Sequence, residues 1–249
     1  MDLKFWLGNL SEWLGVVAVV MIAGISPMVK KARRVDFKYP RRESNMALTL
    51  FVLVYVFAFI YFHTEIFNFL KTAAAGFPGG EYAERMILAV VALIPFIVAL
   101  IARGQPLKSA GWGKENTRVG LLVGLLLAVL TIFLRGKFMT ILAGVSSAQL
   151  GLLAVLLIYS LAEETIFRGY IQLRMDSRLG ERWGWLASAA FFVLWQLPGR
   201  LNVLPFAELW PILVISLAQG LVLAWIMKKS RHVLAPALYR AISLWVLFF

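Results

Sequence analysis

The sequence predicts an all-α, polytopic transmembrane helix bundle of about eight spans. Three observations carry this. Of 249 residues, 61% are hydrophobic and only 15% charged, where soluble domains are nearer half apolar and a quarter charged. Mean hydropathy is +0.81. Apolar runs close to the ~20 residues that cross a bilayer as a helix recur from one end of the chain to the other.

Reading these runs against turn and charge signals places the spans at 13–29, 46–62, 86–101, 119–134, 149–168, 183–197, 209–227 and 234–249. The first run carries its positive charge after it and lacks a small-residue cleavage site, so it reads as a retained helix and not a cleaved leader. The segment that follows, 30–42 (KKARRVDFKYPRR), holds seven of the 25 Lys and Arg. The segment 63–85 opens with an aromatic amphipathic stretch and turns at Pro78, Gly79 and Gly80, which suits a position along the membrane interface. Pro27, Pro95 and Pro211 fall within or beside spans, where lipid-embedded helices tolerate them. Many of the nine tryptophans fall near span ends, as an interfacial aromatic belt requires.

The charge distribution sets an orientation. With 30–42 cytoplasmic, the loops 103–118, 168–182 and 228–231 follow on the same side with four, four and three basic residues, bringing the inside total to 18. Lys4, Lys71, Arg85, Arg135, Lys137 and Arg200 fall outside. Both termini are therefore expected on the non-cytoplasmic side, in a cytoplasmic membrane of bacterial or archaeal type. The net charge of +12 is assigned to topology and to anionic lipid headgroups as partners, not to nucleic acid.

Several chemistries are excluded by composition. There is no cysteine, so thiol catalysis and thiolate metal sites are absent. The two histidines, His63 and His232, are far apart and no HExxH occurs, so no metal or other cofactor is expected. Asp2, Asp36 and Asp176 read as tail or loop residues, which rules out a paired-aspartate intramembrane protease. The serines at 144–147 (GVSS) read as a loop without a histidine partner on a later span.

A charge at bilayer depth costs at least ~2.5 kcal/mol on insertion scales, so intramembrane ionisable residues are where function is sought. Glu163 and Glu164 close an apolar stretch, with Arg168 one turn beyond; Arg240 lies in LAPALYRAISL. The bland reading is a charge-neutral cluster tying the fifth span to the eighth, with Glu164 and Arg168 paired at i,i+4. Adjacent residues on a helix point about 100° apart. Two neighbouring acids thus suggest one structural carboxylate and one facing a cavity. Glu163 and Arg240 are expected to be spatial neighbours in the cytoplasmic half of the membrane.

The stretch EETIFRG at 163–169 resembles the EExxxR motif of the CPBP family, the CAAX-protease and bacteriocin-processing (Abi) intramembrane proteins. FVLWQ at 192–196 falls where that family carries FxxxH, Gln219-Gly220 where it has a glycine, and LAPALYRAISL where it has a proline followed by HxxxN. AGWG at 110–113 is also similar. The resemblance divides the chain into residues 1–106, three unspecific spans, and 107–249, a CAAX-protease-like core of five spans. It implies a glutamic-type intramembrane endopeptidase in which Glu163 acts as the base, and Glu164, partnered by Arg168, as a structural acid.

The expected histidine, histidine and asparagine positions hold Gln196, Arg240 and Leu244. Glutamine cannot shuttle a proton, a permanent cation beside Glu163 weakens it as a base, and leucine offers no oxyanion donor. Loss of one such donor costs ~100- to 1000-fold, and loss of acid–base catalysis a similar factor. The leading expectation is a catalytically degenerate member that binds, assembles or matures a membrane protein or a prenylated or lipid-linked peptide. The alternative is an active endopeptidase using Glu163 with Gln196 and Arg240 in altered roles, and a third reading is a small transporter.

Overall fold

The computed structural model describes residues 3–65, 68–201 and 203–249. They form α1 (Leu3–Ile25), α2 (Pro27–Lys30), α3 (Pro40–His63), α4 (Asn68–Ala74), α5 (Glu81–Ala102), α6 (Thr117–Leu134), α7 (Phe138–Leu142), α8 (Ser147–Glu164), α9 (Leu173–Leu179), α10 (Glu181–Leu201), α11 (Phe206–Ser230) and α12 (Leu234–Trp245). Short 3-10 turns lie at Leu107–Ala110, Lys114–Asn116 and Val246–Phe248, and a π-helical segment, Thr165–Gln172, joins α8 to α9. No strand occurs among the described residues.

Five helices are long and apolar enough to cross a membrane: Pro40–His63, Glu81–Ala102, Lys114–Leu134, Ser147–Leu179 and Glu208–Ser230. Glu12–Ile25 and Leu234–Phe248 are apolar but shorter. α10 has the length but carries Glu181, Arg182, Gln196 and Arg200. Each predicted span overlaps a helix, the first being broken at Ser26 between α1 and α2, and five of the helices meet the length and hydropathy of a membrane crossing. The outward faces of α3, α5 and α6 are strongly apolar, with Val52, Phe59, Ile94, Val98, Leu121 and Leu125 exposed. Such surface is stable against lipid and unstable against water.

The central element is the continuous 33-residue helix Ser147–Leu179, the most enclosed of the five. It begins at a capping box: Ser146 Oγ accepts from the Gln149 backbone N–H at 3.2 Å, while Gln149 Oε1 accepts from the Ser146 N–H at 2.8 Å. The GVSS segment is therefore a helix start, satisfying two donors that would otherwise lack partners at the helix N-terminus. α8 packs between α5 and α12, and α12 lies against α6. Gly120 and Gly124 allow that last approach: a Cβ on Gly120 would stand 2.7 Å from His232, and one on Gly124 would stand 3.1 Å from the Leu234 carbonyl.

The fifth predicted span does not end at Arg168. The helix continues to Leu179 with Arg168, Arg174 and Asp176 all buried. The alternation of charges that reads as a loop is instead a helix wrapped by α3, α10 and the 105–110 turn. Arg174 donates to Glu43 (3.3 Å), Gln105 (2.6 Å) and the Ser109 carbonyl (2.9 Å). Arg103 and Gln105 also hold Glu43. Asp176 is a helical residue packed on Gly184, not a loop residue.

The four basic segments converge on one end of the bundle. Glu181 is shared by Arg34 (3.3 Å), Lys228 (3.3 Å) and Arg231 (2.7 Å); burial pushes its carboxyl up, but Arg231 and Lys228 outweigh this and hold it below the usual range. Asn116 exchanges hydrogen bonds with the Arg33 backbone at 3.1 and 2.9 Å. At the opposite end the Trp245 indole donates to the Gln149 carbonyl (2.8 Å).

A further buried carboxylate, at the start of the first apolar run, is missing from the sequence-based set. Glu12 of α1 is 1% exposed. Its Oε2 accepts from Arg135 Nε at 2.6 Å, and its Oε1 from the Tyr239 hydroxyl at 2.8 Å and from Ser243 at 2.6 Å. α1 is thereby tied to α6 and α12 by a buried ionic cluster.

Candidate functional site

Glu163 lies sixteen residues from each end of the Ser147–Leu179 helix, at its midpoint. The backbone changes register just beyond it. Thr165–Gln172 is π-helical, and all eight of its residues are buried. π-Helical stretches are rare and mostly brief, and they concentrate at functional sites. Neighbouring side chains satisfy two of its carbonyls: Ser188 Oγ donates to Phe167 (3.0 Å) and Arg174 Nη1 to Tyr170 (3.1 Å). Gly169 sits where the segment meets the 107–110 turn, and a Cβ there would fall 2.1 Å from the Ala110 carbonyl oxygen.

The four predicted charges form one buried quartet. Arg240 is ion-paired with Glu163 and stands 3.1 Å from Glu164 Oε1. Arg168 Nε lies 3.3 Å from Glu164 Oε2, and its Nη2 donates to the Gly220 carbonyl at 3.2 Å. Phe192 lies between the two guanidinium groups, 4.5 Å from Arg168 and 4.8 Å from Arg240, which stabilises both cations through the ring quadrupole. Two acids and two bases make the quartet neutral. That is the condition under which charges are tolerated at this depth.

The adjacent acids do face different ways. Glu164 is enclosed between Arg168 and Arg240. Glu163 lines a cavity of about 40 Å³ together with Arg85, Tyr159, Trp195, Gln196 and Arg200, which is space for two or three waters. Trp195 Nε1 donates to Glu163 Oε1 at 2.6 Å, and Arg240 Nη2 donates to the Tyr159 hydroxyl at 3.1 Å. The mouth is formed by the C-terminal ends of α3 and α10 and the N-terminal end of α5. The cavity therefore opens at the end of the bundle opposite the basic loops.

Gln196 lines the same cavity, but its oxygen is engaged elsewhere. Oε1 accepts from Arg200 Nη2 at 2.5 Å and from Ser216 Oγ at 3.3 Å. Arg200 also donates to Ser216 (2.8 Å) and to the Ile212 carbonyl (3.3 Å). Leu244 is not brought to the cavity; it is half-buried in an apolar cluster with residues of α5 and α8. Neither histidine lines the cavity. His63 is exposed near the end of α3. His232 is buried at the opposite end, where its Nδ1 accepts from the Leu234 N–H at 3.1 Å and caps α12. Burial pushes its imidazole pKa down to about 4, against an opposing pull from Glu115. No cluster of three or more potential metal ligands occurs among the described residues.

The tryptophans are more than interfacial anchors. Trp195 binds Glu163, while Trp112 Nε1 donates to Thr165 Oγ1 at 3.1 Å and Trp185 to the Leu221 carbonyl at 2.7 Å.

Residues 145–246 match the family described as Type II CAAX prenyl endopeptidase Rce1-like. The similarity covers about two fifths of the chain, a CAAX-protease-like domain. No curated protein and no solved structure matches the chain. The CAAX-protease-like domain holds α8, the π-helical segment, α10, α11 and α12, and hence Glu163, Glu164, Arg168, Gln196 and Arg240; α6 lies before it. With its apolar helices, the chain is an integral membrane protein of CAAX-protease-like type.

Proposed function

We propose that the CAAX-protease-like domain keeps its cavity but does not hydrolyse peptides. The protein then acts as a binding, assembly or maturation factor for another membrane protein or for a prenylated or lipid-linked peptide. The observation that carries this reading is the state of Glu163. A general base must be free to take a proton, whereas this carboxylate is ion-paired with Arg240 and hydrogen-bonded by Trp195, with no histidine on the cavity wall. Arg240 stands against this carboxylate as a permanent countercharge. The cationic mouth, with Arg85 and Arg200, suits a polar or anionic end of a client.

The convergence of the basic loops supports placing them in the cytoplasm, with both termini and the cavity mouth on the other side of a bacterial or archaeal membrane. A reporter fused after Phe249 is expected to be non-cytoplasmic, and a cytoplasmic signal overturns the orientation.

A second reading, an active endopeptidase, draws on the water-sized space beside Glu163 and on Arg240 as a cation able to stabilise an oxyanion. The test is purified protein in vesicles with a prenylated peptide. No cleavage is expected. Turnover that disappears in Glu163→Gln overturns the binding reading and establishes the second one. The triple variant Gln196→His, Arg240→His, Leu244→Asn restores two groups titrating near neutrality and a neutral donor.

A further inference from the structure

A larger recess approaches the glutamate-bearing helix from its other face. This groove has a volume of about 660 Å³ and runs between α5 and α8 to the 107–116 turns. Its walls are apolar, with Leu93, Ile97 and Leu100 on one side and Ile158, Leu161 and Ala162 on the other. The part of α5 that lines it, from Val90 to Ile101, is about 16 Å long at 1.5 Å per residue. That is about half of a ~30 Å hydrocarbon layer, the depth of one acyl chain in one leaflet.

The groove is polar at the end that meets the 107–116 turns. The groove ends among the basic loops, where Gln105, Lys114 and Thr117 line it. No carboxylate lines it, and Lys114 has no ion-pair partner among the described residues. Lys108 and Arg118 stand exposed beside this rim. An apolar slot of one-leaflet depth under an unpaired cation is complementary to an amphiphile with one hydrocarbon chain in the slot and a negative headgroup at the rim.

We propose that the groove holds an acyl chain of an anionic phospholipid whose phosphate pairs with Lys114. A zwitterionic lipid carries its own cation and gains less from the site, and one lysine near a membrane surface corresponds to about a fivefold preference. The chain lies against Ala162 and Thr165, which flank the two glutamates on the helix face away from the cavity. Trp112, which holds Thr165 by its indole N–H, also lines the groove. Lipid occupancy is thereby in direct contact with the start of the π-helical segment.

The experiment is native mass spectrometry of the full chain in detergent, equilibrated with equimolar dioleoylphosphatidylglycerol and dioleoylphosphatidylcholine. One phosphatidylglycerol per protein is expected, retained about fivefold over phosphatidylcholine. Lys114→Glu, at an exposed position, should erase the preference. Ile97→Trp should fill the slot and reduce retention of both lipids while the protein melts as before. Lys38→Glu, on a separate basic segment, should leave the ratio unchanged. Equal retention of the two lipids, a preference that survives Lys114→Glu, retention unaffected by Ile97→Trp, a co-purified fatty acid in place of phospholipid, or a dimer lacking lipid would each overturn the proposal.

Discussion

Arg240 of α12 holds Glu163 of α8 in a buried ion pair, and the same guanidinium also contacts Glu164. The pair joins two helices whose sequences are 77 residues apart, and each partner makes the other affordable at this depth.

Breaking that pair from one side should therefore be worse than removing both charges. Arg240→Leu is expected to cost about 3–5 kcal/mol by leaving Glu163 unpaired. The double variant Arg240→Leu, Glu163→Gln should recover part of this loss, since Glu164 retains Arg168. Thermal melts of the four proteins in one detergent measure the coupling, and additive losses would show there is none.

The Glu12 cluster predicts a similar asymmetry. Glu12→Leu leaves the buried Tyr239 hydroxyl without its acceptor, at an expected cost of about 2–4 kcal/mol. Arg135 is partly exposed and can turn to water. Adding Tyr239→Phe should restore part of the stability. The check is whether the double variant melts above Glu12→Leu.

Two glycines of the CAAX-protease-like domain should respond differently to a methyl group. Gly169→Ala drives a Cβ to 2.1 Å from a backbone oxygen that cannot swing aside, so loss of the folded protein is expected. Gly220→Ala meets its nearest neighbour at 3.3 Å and should fold, with a loss within about 1 kcal/mol. Yield and monodispersity in detergent distinguish the two.

His232 gives the fold a pH dependence of known sign. Its folded pKa lies near 4, below the unfolded value of about 6.5, so the unfolded chain binds the proton first. Stability is complete above pH 6.5 and falls as pH drops toward 4, by about 2–3 kcal/mol. His232→Asn should flatten this part of the melting-temperature profile between pH 4 and 7.

The apolar runs made the helices legible, and the rarity of charge within them exposed Glu163, Glu164, Arg168 and Arg240. Other features left weaker marks. Glu12 sits at the very edge of a run and looks like a tail residue; only its burial against Tyr239 and Ser243 shows its role. The charges from Arg168 to Arg182 resemble a loop because nothing local announces that Glu43, Gln105 and Ser109 will pair with them from distant parts of the chain. The π register over 165–172 is a pattern of backbone hydrogen bonds, which polarity does not encode. Trp195 was hidden among nine tryptophans whose common role is interfacial.

The continuous Ser147–Leu179 helix also bears on bilayer thickness. At 1.5 Å per residue its 33 residues span about 50 Å, and fitting that length into ~30 Å of hydrocarbon would take a tilt of more than ~50°, beyond the ~40° limit of membrane helices. Part of it must stand clear of the acyl chains, and its final turns are clothed by the Glu43, Arg103 and Arg174 pairs instead of lipid. A thinner or thicker membrane then changes how much of this sheathed stem emerges, while the midpoint carrying Glu163 keeps its own protein surroundings.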